Sequence, residues 1–207
     1  MACHSCQWEG TAGLIQRRCG DGSFGWHPAC NHGCVLTKPV SNSLADQTHY
    51  LAVALGANQV GPGGLPRQTF AAVRPLLEGV IKAWAQPASA ENLRSSLNFS
   101  WSSDYETAPV GGPADQPPYL NAVLLVKGVG VSPGLEQALI LLDEFQKLEN
   151  SFGRDRSREK RWGPRPMDLD WLFWGELRID HARLILPHPR LHLRSFVLEP
   201  LLDVMKR

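Results

Sequence analysis

Long apolar runs are missing from this sequence. No segment approaches the roughly 18 apolar residues that a membrane-spanning helix needs, and the first residues contain no apolar signal-peptide core. The formal net charge is only +1 over 207 residues, so overall charge indicates neither a nucleic acid nor a membrane surface as a partner. We therefore expect a cytoplasmic protein with no membrane partner and no nucleic-acid partner.

The two common glycine-rich phosphate loops are also missing. The pattern G-x-x-x-x-G-K-[ST] does not occur, because the nearest match at 61–64 lacks the lysine, and G-x-G-x-x-G does not occur either. If the protein binds a nucleotide, side chains and a metal ion must hold its phosphates in place of a glycine cradle.

Cysteine does not occur after Cys34, and all five cysteines precede it. An odd number in a reducing compartment argues against a disulfide framework. Cys3 and Cys6, with Cys30 and Cys34 and nearby histidines, have the residue types of a zinc site. The alternative is a leader that contains incidental cysteines.

Methionine is absent between Met1 and Met167, which is compatible with a natural start near Val40 or Leu44 from a non-methionine codon. Residues 1–47 show no sustained periodicity. We expect them to be an N-terminal extension, disordered or mis-started, and we expect residues 48–207 to form the functional domain.

Hydrophobic periodicity in this second part predicts the element order β-α-β-β-α-β followed by a tail. That order is typical of a ferredoxin-like α+β fold, an antiparallel sheet with two helices on one face. The connections 109–118 and 153–166 are longer than plain turns require, which is typical of active-site loops. The predicted strands are His49–Leu55, Leu97–Tyr105, Tyr119–Val129 and Met167–Trp174, and the predicted helices are Pro66–Trp84, Gly134–Phe152 and Leu191–Leu202.

The segment 153–172 is the most informative, and it reads GRDRSREKRWGPRPMDLDWL. Guanidinium groups present planar forks that match phosphate oxygens. Asp168 and Asp170 are spaced i, i+2 on a predicted strand and therefore share one face, where two carboxylates with phosphate oxygens suit Mg²⁺. The segment predicts phosphoryl-transfer chemistry. Its cations are Arg154, Arg156, Arg158, Lys160, Arg161 and Arg165.

An RNA-binding domain is the alternative interpretation of the same segment. Trp162 interrupts the cations, and an aromatic side chain in a basic loop can stack on a base as well as cover a smaller flat ligand. Elsewhere, Tyr119 and Asn121 share a strand face that suits a planar heterocycle, and His188 is fixed between two prolines. Structural roles are the alternatives for these three residues and for Phe196.

The domain resembles the 6-hydroxymethyl-7,8-dihydropterin pyrophosphokinase family of folate biosynthesis. The motifs that carry the resemblance occur in the family's order and cover nearly all of residues 49–207. They are Ala54–Asn58, Tyr105–Pro109, Gln116–Asn121, Phe152–Arg156, Arg161–Asp170, Leu186–Arg190 and Arg194–Leu198.

The resemblance implies an enzyme that transfers pyrophosphate from ATP to the pterin hydroxymethyl group and releases AMP. It implies two Mg²⁺ ions held by Asp168 and Asp170, with ATP as co-substrate. The implied catalytic residues are Arg154, Arg156, Trp162 and Arg165. The implied pterin-side residues are Thr107, Pro109, Val110, Tyr119, Asn121 and Phe196, and the implied ATP-side residues are Gln146, Glu149, His188 and Arg194.

The resemblance also implies that the product passes to dihydropteroate synthase. A monomer is compatible with the sequence, which does not fix the oligomeric state. Small departures from the family's pattern occur at Ala54, Ala57 and Ala108. The basic loop is one residue longer than usual, and 86–96 has the character of an inserted surface loop.

Overall fold

The computed structural model describes residues 7–9, 16–18, 49–85, 97–113, 115–157 and 162–206. Two compact units are present, 1–42 and 43–207. In the first, β1 (Gln7–Glu9) pairs antiparallel with β2 (Gln16–Arg18). The expectations for the cysteines, for the inserted loop and for Arg158, Lys160 and Arg161 lie outside the described residues.

The second unit is built on an antiparallel sheet in the order β4-β6-β3-β7, with β5 also paired to β6. This is the predicted ferredoxin-like α+β arrangement, and that prediction is confirmed. The strands are β3 (His49–Ala57), β4 (Asn98–Trp101), β5 (Tyr105–Thr107), β6 (Tyr119–Val129) and β7 (Asp168–Trp174), and the two long helices are α1 (Pro66–Ala85) and α2 (Leu135–Ser151).

The main core lies between α1, α2 and one face of the sheet. Alternate strand residues such as Val53, Leu124 and Trp171 face it, because successive side chains of a strand point to opposite faces. From the helices, Leu77 and Leu141 are fully buried in the same cluster, at positions that the 3.6-residue period places on one stripe. Pro75 lies inside α1, on its exposed side.

The opposite face of the sheet carries the third helix, α3 (Ser195–Met205). Val197 and Leu201 of α3 pack with Val123 and Leu172 of the sheet in a second, smaller core. The predicted helix over Leu191–Leu202 is therefore wrong in its bounds. A short 3-10 turn, Leu191–Leu193, comes first, and the extended backbone of Arg194 separates it from α3.

The predicted single strand Leu97–Tyr105 is also wrong, because the strand is interrupted between β4 and β5. The backbone N–H of Ser102 donates to the carbonyl oxygen of Val123, and the Ser102 hydroxyl accepts from the N–H of Val123, both over 2.9 Å. A side chain thus replaces one rung of the ladder, and β5 re-joins β6 three residues later. The remaining strands, β8 (Ile179–His181) and β9 (Leu184–Leu186), pair with each other.

Among the described residues, no helix combines the length and apolar character needed to cross a bilayer.

Candidate active site

The floor of the candidate site is formed by three adjacent strands on the α3 side of the sheet. Gly56 of β3 pairs with Asn121 of β6 on one side and with Asp168 of β7 on the other, and Ala54 pairs with Asp170. Because strand residues alternate, the two acids face away from the core that Leu169 helps to form. The small residues of β3 leave open space between the amide and the acids.

A pocket of ≈ 110 Å³ lies over this floor. Its walls come from the 105–111 segment, the 162–165 segment and the start of α3. Most of the residues predicted from the sequence thus meet in one place. Those that line the pocket are Thr107, Val110, Tyr119, Asn121, Trp162, Arg165, Asp168, Asp170, Arg194 and Phe196.

Asp168 is held by two arginines. Arg154 donates to Oδ1, and Arg165 Nη1 donates to Oδ2 over 2.7 Å. Burial by itself would raise the pKa of Asp168, but the guanidinium groups of Arg154 and Arg165 outweigh burial and hold the pKa below its ordinary value. Asp168 is therefore ionised at neutral pH.

Asp170 has a different environment. Its Oδ2 accepts from Arg194 Nη1 over 2.7 Å and lies 4.0 Å from His188 Nε2. Burial first, and repulsion from the Asp168 carboxylate second, raise the pKa of Asp170, although His188 and Arg194 oppose this. Burial lowers the pKa of His188. The protein thus stabilises the ionised form of Asp168 more than that of Asp170.

Glu149 lies behind the floor and outside the pocket lining. Its carboxylate is 1 % exposed and accepts hydrogen bonds from Arg154, Arg156 and the backbone N–H of Leu169. Arg154 is likewise buried, so it is anchored beneath the site and does not line the pocket. Gln146 is half-buried on α2 and is not brought to the lining of the pocket.

The residues expected to bind the pterin form a second wall. The amide Nδ2 of Asn121 donates to the Thr107 hydroxyl over 2.9 Å, which orients the side chain toward the 105–111 segment. Val110 is 76 % exposed at the rim. Pro109 lies in the same segment but does not line the pocket. Phe196 enters from α3, so the aromatic residues of this wall come from two separate elements.

Asn58 and Gln116 connect the walls by hydrogen bonds. Both lie in the motifs, but neither was predicted as a site residue from the sequence. Asn58 accepts from the Arg165 N–H over 2.9 Å and donates to the carbonyl oxygen of Pro117 over 3.0 Å. Gln116 donates to the carbonyl oxygens of Gly111 and Trp162. The available signal for Asn58 was an asparagine just after a predicted strand; no sequence pattern specifies the partners of Gln116.

The arrangement defines the class of protein. Paired acids on the floor, three guanidinium groups bonded to them and an aromatic and amide wall suit a site for phosphoryl transfer to a flat acceptor. Arg165 and Arg194 line the pocket and donate to its acids, which favours this interpretation over the RNA-binding alternative. The fold and the site are those of a ferredoxin-like phosphotransferase.

Comparison with known proteins identifies the particular family. The family model for 7,8-dihydro-6-hydroxymethylpterin-pyrophosphokinase matches residues 52–206, and the chain belongs to this family. Its function is therefore that of a pterin pyrophosphokinase in folate biosynthesis.

Curated relatives that carry the name 2-amino-4-hydroxy-6-hydroxymethyldihydropteridine pyrophosphokinase include the following three. The chain is 46 % identical over 128 residues to that of Haemophilus influenzae, covering 62 % of this chain and 71 % of the relative. It is 36 % identical over 167 residues to that of Synechocystis, covering 80 % and 72 %. It is 44 % identical over 152 residues to that of Pseudomonas aeruginosa, covering 73 % and 78 %.

Proposed function

We propose that this protein transfers the pyrophosphoryl group of ATP to the hydroxymethyl group of 6-hydroxymethyl-7,8-dihydropterin in a Mg²⁺-dependent reaction. The observation that carries the proposal is the joint position of Asp168 and Asp170 on the floor of a pocket whose other wall contains Tyr119, Asn121 and Phe196. A phosphate-binding half and a heterocycle-binding half thus share one cavity.

The two acids fit Mg²⁺. Mg²⁺ is usually held by one or two carboxylates together with substrate phosphates and water, and a pair at i, i+2 on one strand supplies two carboxylates to one face. The described residues contain no cluster of three or more His, Cys, Asp or Glu side chains suited to a metal, so the remaining ligands would come from the nucleotide. Bound there, Mg²⁺ would neutralise phosphate charge during transfer.

The arginines supply the other positive charge. Arg165 and Arg194 line the pocket and each donates one bond to a floor acid, and each fork has further N–H groups. Those N–H groups suit the phosphate oxygens of ATP. Arg154, held by Glu149 and Asp168, fixes the position of Asp168 from below. Arg156 is half-exposed and bonded to Glu149, and it does not line the pocket.

The pterin would lie against Tyr119 and Phe196, with Asn121 at its edge. The Asn121 amide has donor and acceptor groups that match the alternating edge of a pterin, and its contact with Thr107 fixes the side chain. Trp162 lies at the rim and would cover the bound substrates, which limits access of water to the transferred group. In this account the protein acts by positioning and charge compensation.

The product and the location of the protein are part of the same proposal. We expect the diphosphorylated pterin to be passed to dihydropteroate synthase in the cytoplasm. The link to a further folate enzyme is supported by relatives in which a similar segment is part of a larger folate protein. In the Arabidopsis thaliana protein named Folate synthesis bifunctional protein, mitochondrial, the match is 48 % identical over 101 residues, 49 % of this chain and 17 % of the relative.

Product analysis tests the reaction. Purified protein is incubated with ATP and hydroxymethyl-dihydropterin, with Mg²⁺ or with EDTA, and adenine nucleotides and pterins are separated by chromatography. We expect AMP and diphosphorylated pterin in equal amounts with Mg²⁺, and neither with EDTA. ADP as the nucleotide product, or AMP that forms without pterin, would contradict the proposal.

A further inference from the structure

Arg190 contacts Trp162, and the proposed mechanism does not use this contact. The Arg190 Cζ lies 5.4 Å from the centroid of the Trp162 ring, within the distance at which a guanidinium is attracted to an aromatic face. Arg190 is exposed and does not line the pocket. It belongs to the Leu186–Arg190 motif, in which His188 has a proposed role and Arg190 has none.

Trp162 has a backbone conformation that neighbouring groups must stabilise. Its φ is 59°, in the left-handed region that bulky residues rarely adopt. The indole is nevertheless 43 % exposed, so burial is not what fixes it. A Cβ added at Gly111 would lie 3.3 Å from the indole, which shows that the rim segment contacts one part of the ring. Arg190 approaches the ring from a different part of the chain.

The position of Arg190 is fixed to the floor of the site. Its backbone N–H donates to the imidazole Nδ1 of His188 over 3.2 Å. The backbone N–H of His188 in turn donates to the carbonyl oxygen of Leu172 over 2.7 Å. Leu172 belongs to β7, the strand that carries Asp168 and Asp170. The stacking contact therefore links the exposed indole to the strand that holds the acids.

We propose that Arg190 is a positioning residue that orients the Trp162 indole over the pocket. The inference rests on the proposed function, because Trp162 is assigned there as the cover of the bound substrates. Arg190 acts through the indole and does not contact substrate. Lysine retains the charge but lacks the planar group that stacks on a ring. The Arg190→Lys variant should therefore orient the Trp162 indole less well than arginine does.

A spectroscopic test needs no substrate and is independent of the reaction. The chain contains seven tryptophans, which 5-fluorotryptophan and ¹⁹F NMR resolve, and the Trp162→Phe variant assigns the resonance of Trp162. We expect Arg190→Gln to shift that resonance, Arg190→Lys to shift it less, and the resonances of the core tryptophans to stay unchanged. The matched control is Arg178→Gln, at an exposed arginine outside the pocket lining. An unmoved Trp162 resonance in Arg190→Gln overturns the proposal.

Steady-state kinetics of a double-mutant cycle then test whether Arg190 acts through Trp162. Arg190→Gln should raise the KM for the pterin about two- to fivefold, as expected for an exposed cation–π contact, with little change in kcat. In a Trp162→Ala background it should cause no further change. An equal effect in both backgrounds would show that Arg190 acts without Trp162 and would overturn the proposal. Absence of pterin-dependent AMP from the unmutated protein would instead contradict the proposed function and leave the NMR result standing.

Discussion

The hydroxyl of Tyr119 donates a hydrogen bond of 2.9 Å to the backbone oxygen of Gly163. Tyr119 begins β6 on the pterin side of the pocket, whereas Gly163 follows Trp162 in the segment that leads to Arg165. One bond thus joins the wall proposed for the heterocycle to the segment proposed for the phosphates. The same side chain therefore has two separable contributions, its ring and its hydroxyl.

Tyr119→Phe keeps the ring and removes this bond. A hydrogen bond of this type contributes about 0.5–1.5 kcal/mol, so we expect kcat/KM to fall about two- to tenfold while the pterin still binds. Tyr119→Ala should weaken pterin binding much more, because the ring is lost. Fluorescence titration with the pterin and steady-state kinetics measure the two effects. Equal losses in both variants would mean that the ring does not contact the pterin.

Glu149→Gln tests the buried ion pairs below the floor. The substitution keeps the shape but removes the charge that Arg154 and Arg156 share. Neutralising one partner of a buried pair leaves the other charge uncompensated, but Arg154 keeps Asp168 as a partner and burial raises the pKa of Glu149. The free energy of unfolding from urea denaturation should therefore fall by about 1–3 kcal/mol, as for a buried donor that loses a partner. The matched control is Glu144→Gln on the same helix, where the pair with Lys147 is exposed and contributes little. Comparable losses in both would contradict a structural role for Glu149.

When metal is absent, the contributions of Asp168 and Asp170 to fold stability should change in opposite directions as the pH falls. The lowered pKa of Asp168 means that its ionised form stabilises the fold at neutral pH, and this is lost as pH falls through the lowered pKa. The raised pKa of Asp170 means that its charge destabilises the fold above that pKa, and this is relieved as pH falls through it.

In EDTA at neutral pH, Asp168→Asn should therefore lower the free energy of unfolding, and Asp170→Asn should leave it unchanged or raise it. Both should lower turnover with Mg²⁺ by about a hundredfold or more, as expected when a group that stabilises transferred charge is lost. Urea denaturation and the AMP assay measure the two properties. Asp170→Asn with full activity would remove Asp170 from the metal site.

The sequence predicted the sheet and its two long helices because each has a clear period. The strand at 119–129 has the predicted bounds, since the apolar run 122–126 occupies its centre. The break at Ser102 was missed because it depends on a hydroxyl that replaces a backbone partner, and no local pattern encodes that exchange. The start of α3 was missed because apolar residues continue through the 3-10 turn before Ser195.

The acids and the aromatic wall were predicted as members of one site, and the structure brings them together. The position of Glu149 was less accessible from the sequence. The buried carboxylate of Glu149 is bonded to Arg154, which follows α2 in the chain, and to the backbone N–H of Leu169 in β7. These contacts form only in the packed fold, so no local sequence pattern predicts them. The motifs marked Asn58 and Gln116 as family residues, but their hydrogen bonds cross between loops that are distant in the chain.

Gly112→Ala tests whether close backbone contact at the rim sets the position of Trp162. A Cβ there would lie 2.2 Å from the Trp162 backbone oxygen, and the φ of Gly112 is 81°, which a residue with a side chain rarely adopts. The rim and the Trp162 segment must then separate. We expect kcat/KM to fall about tenfold or more, the scale on which misplaced substrate-positioning groups act, with a smaller effect on unfolding because the rim is exposed.

Gly79→Ala is the matched control for that substitution. Gly79 lies inside α1, where an added Cβ meets nothing within 4 Å, so alanine should stabilise the helix by about 0.5–1 kcal/mol and leave kinetics unchanged. Urea denaturation and the AMP assay on both variants separate a general effect of glycine replacement from displacement of Trp162. If Gly112→Ala retained full kcat/KM, contact between the rim and Trp162 would have no part in substrate binding or turnover.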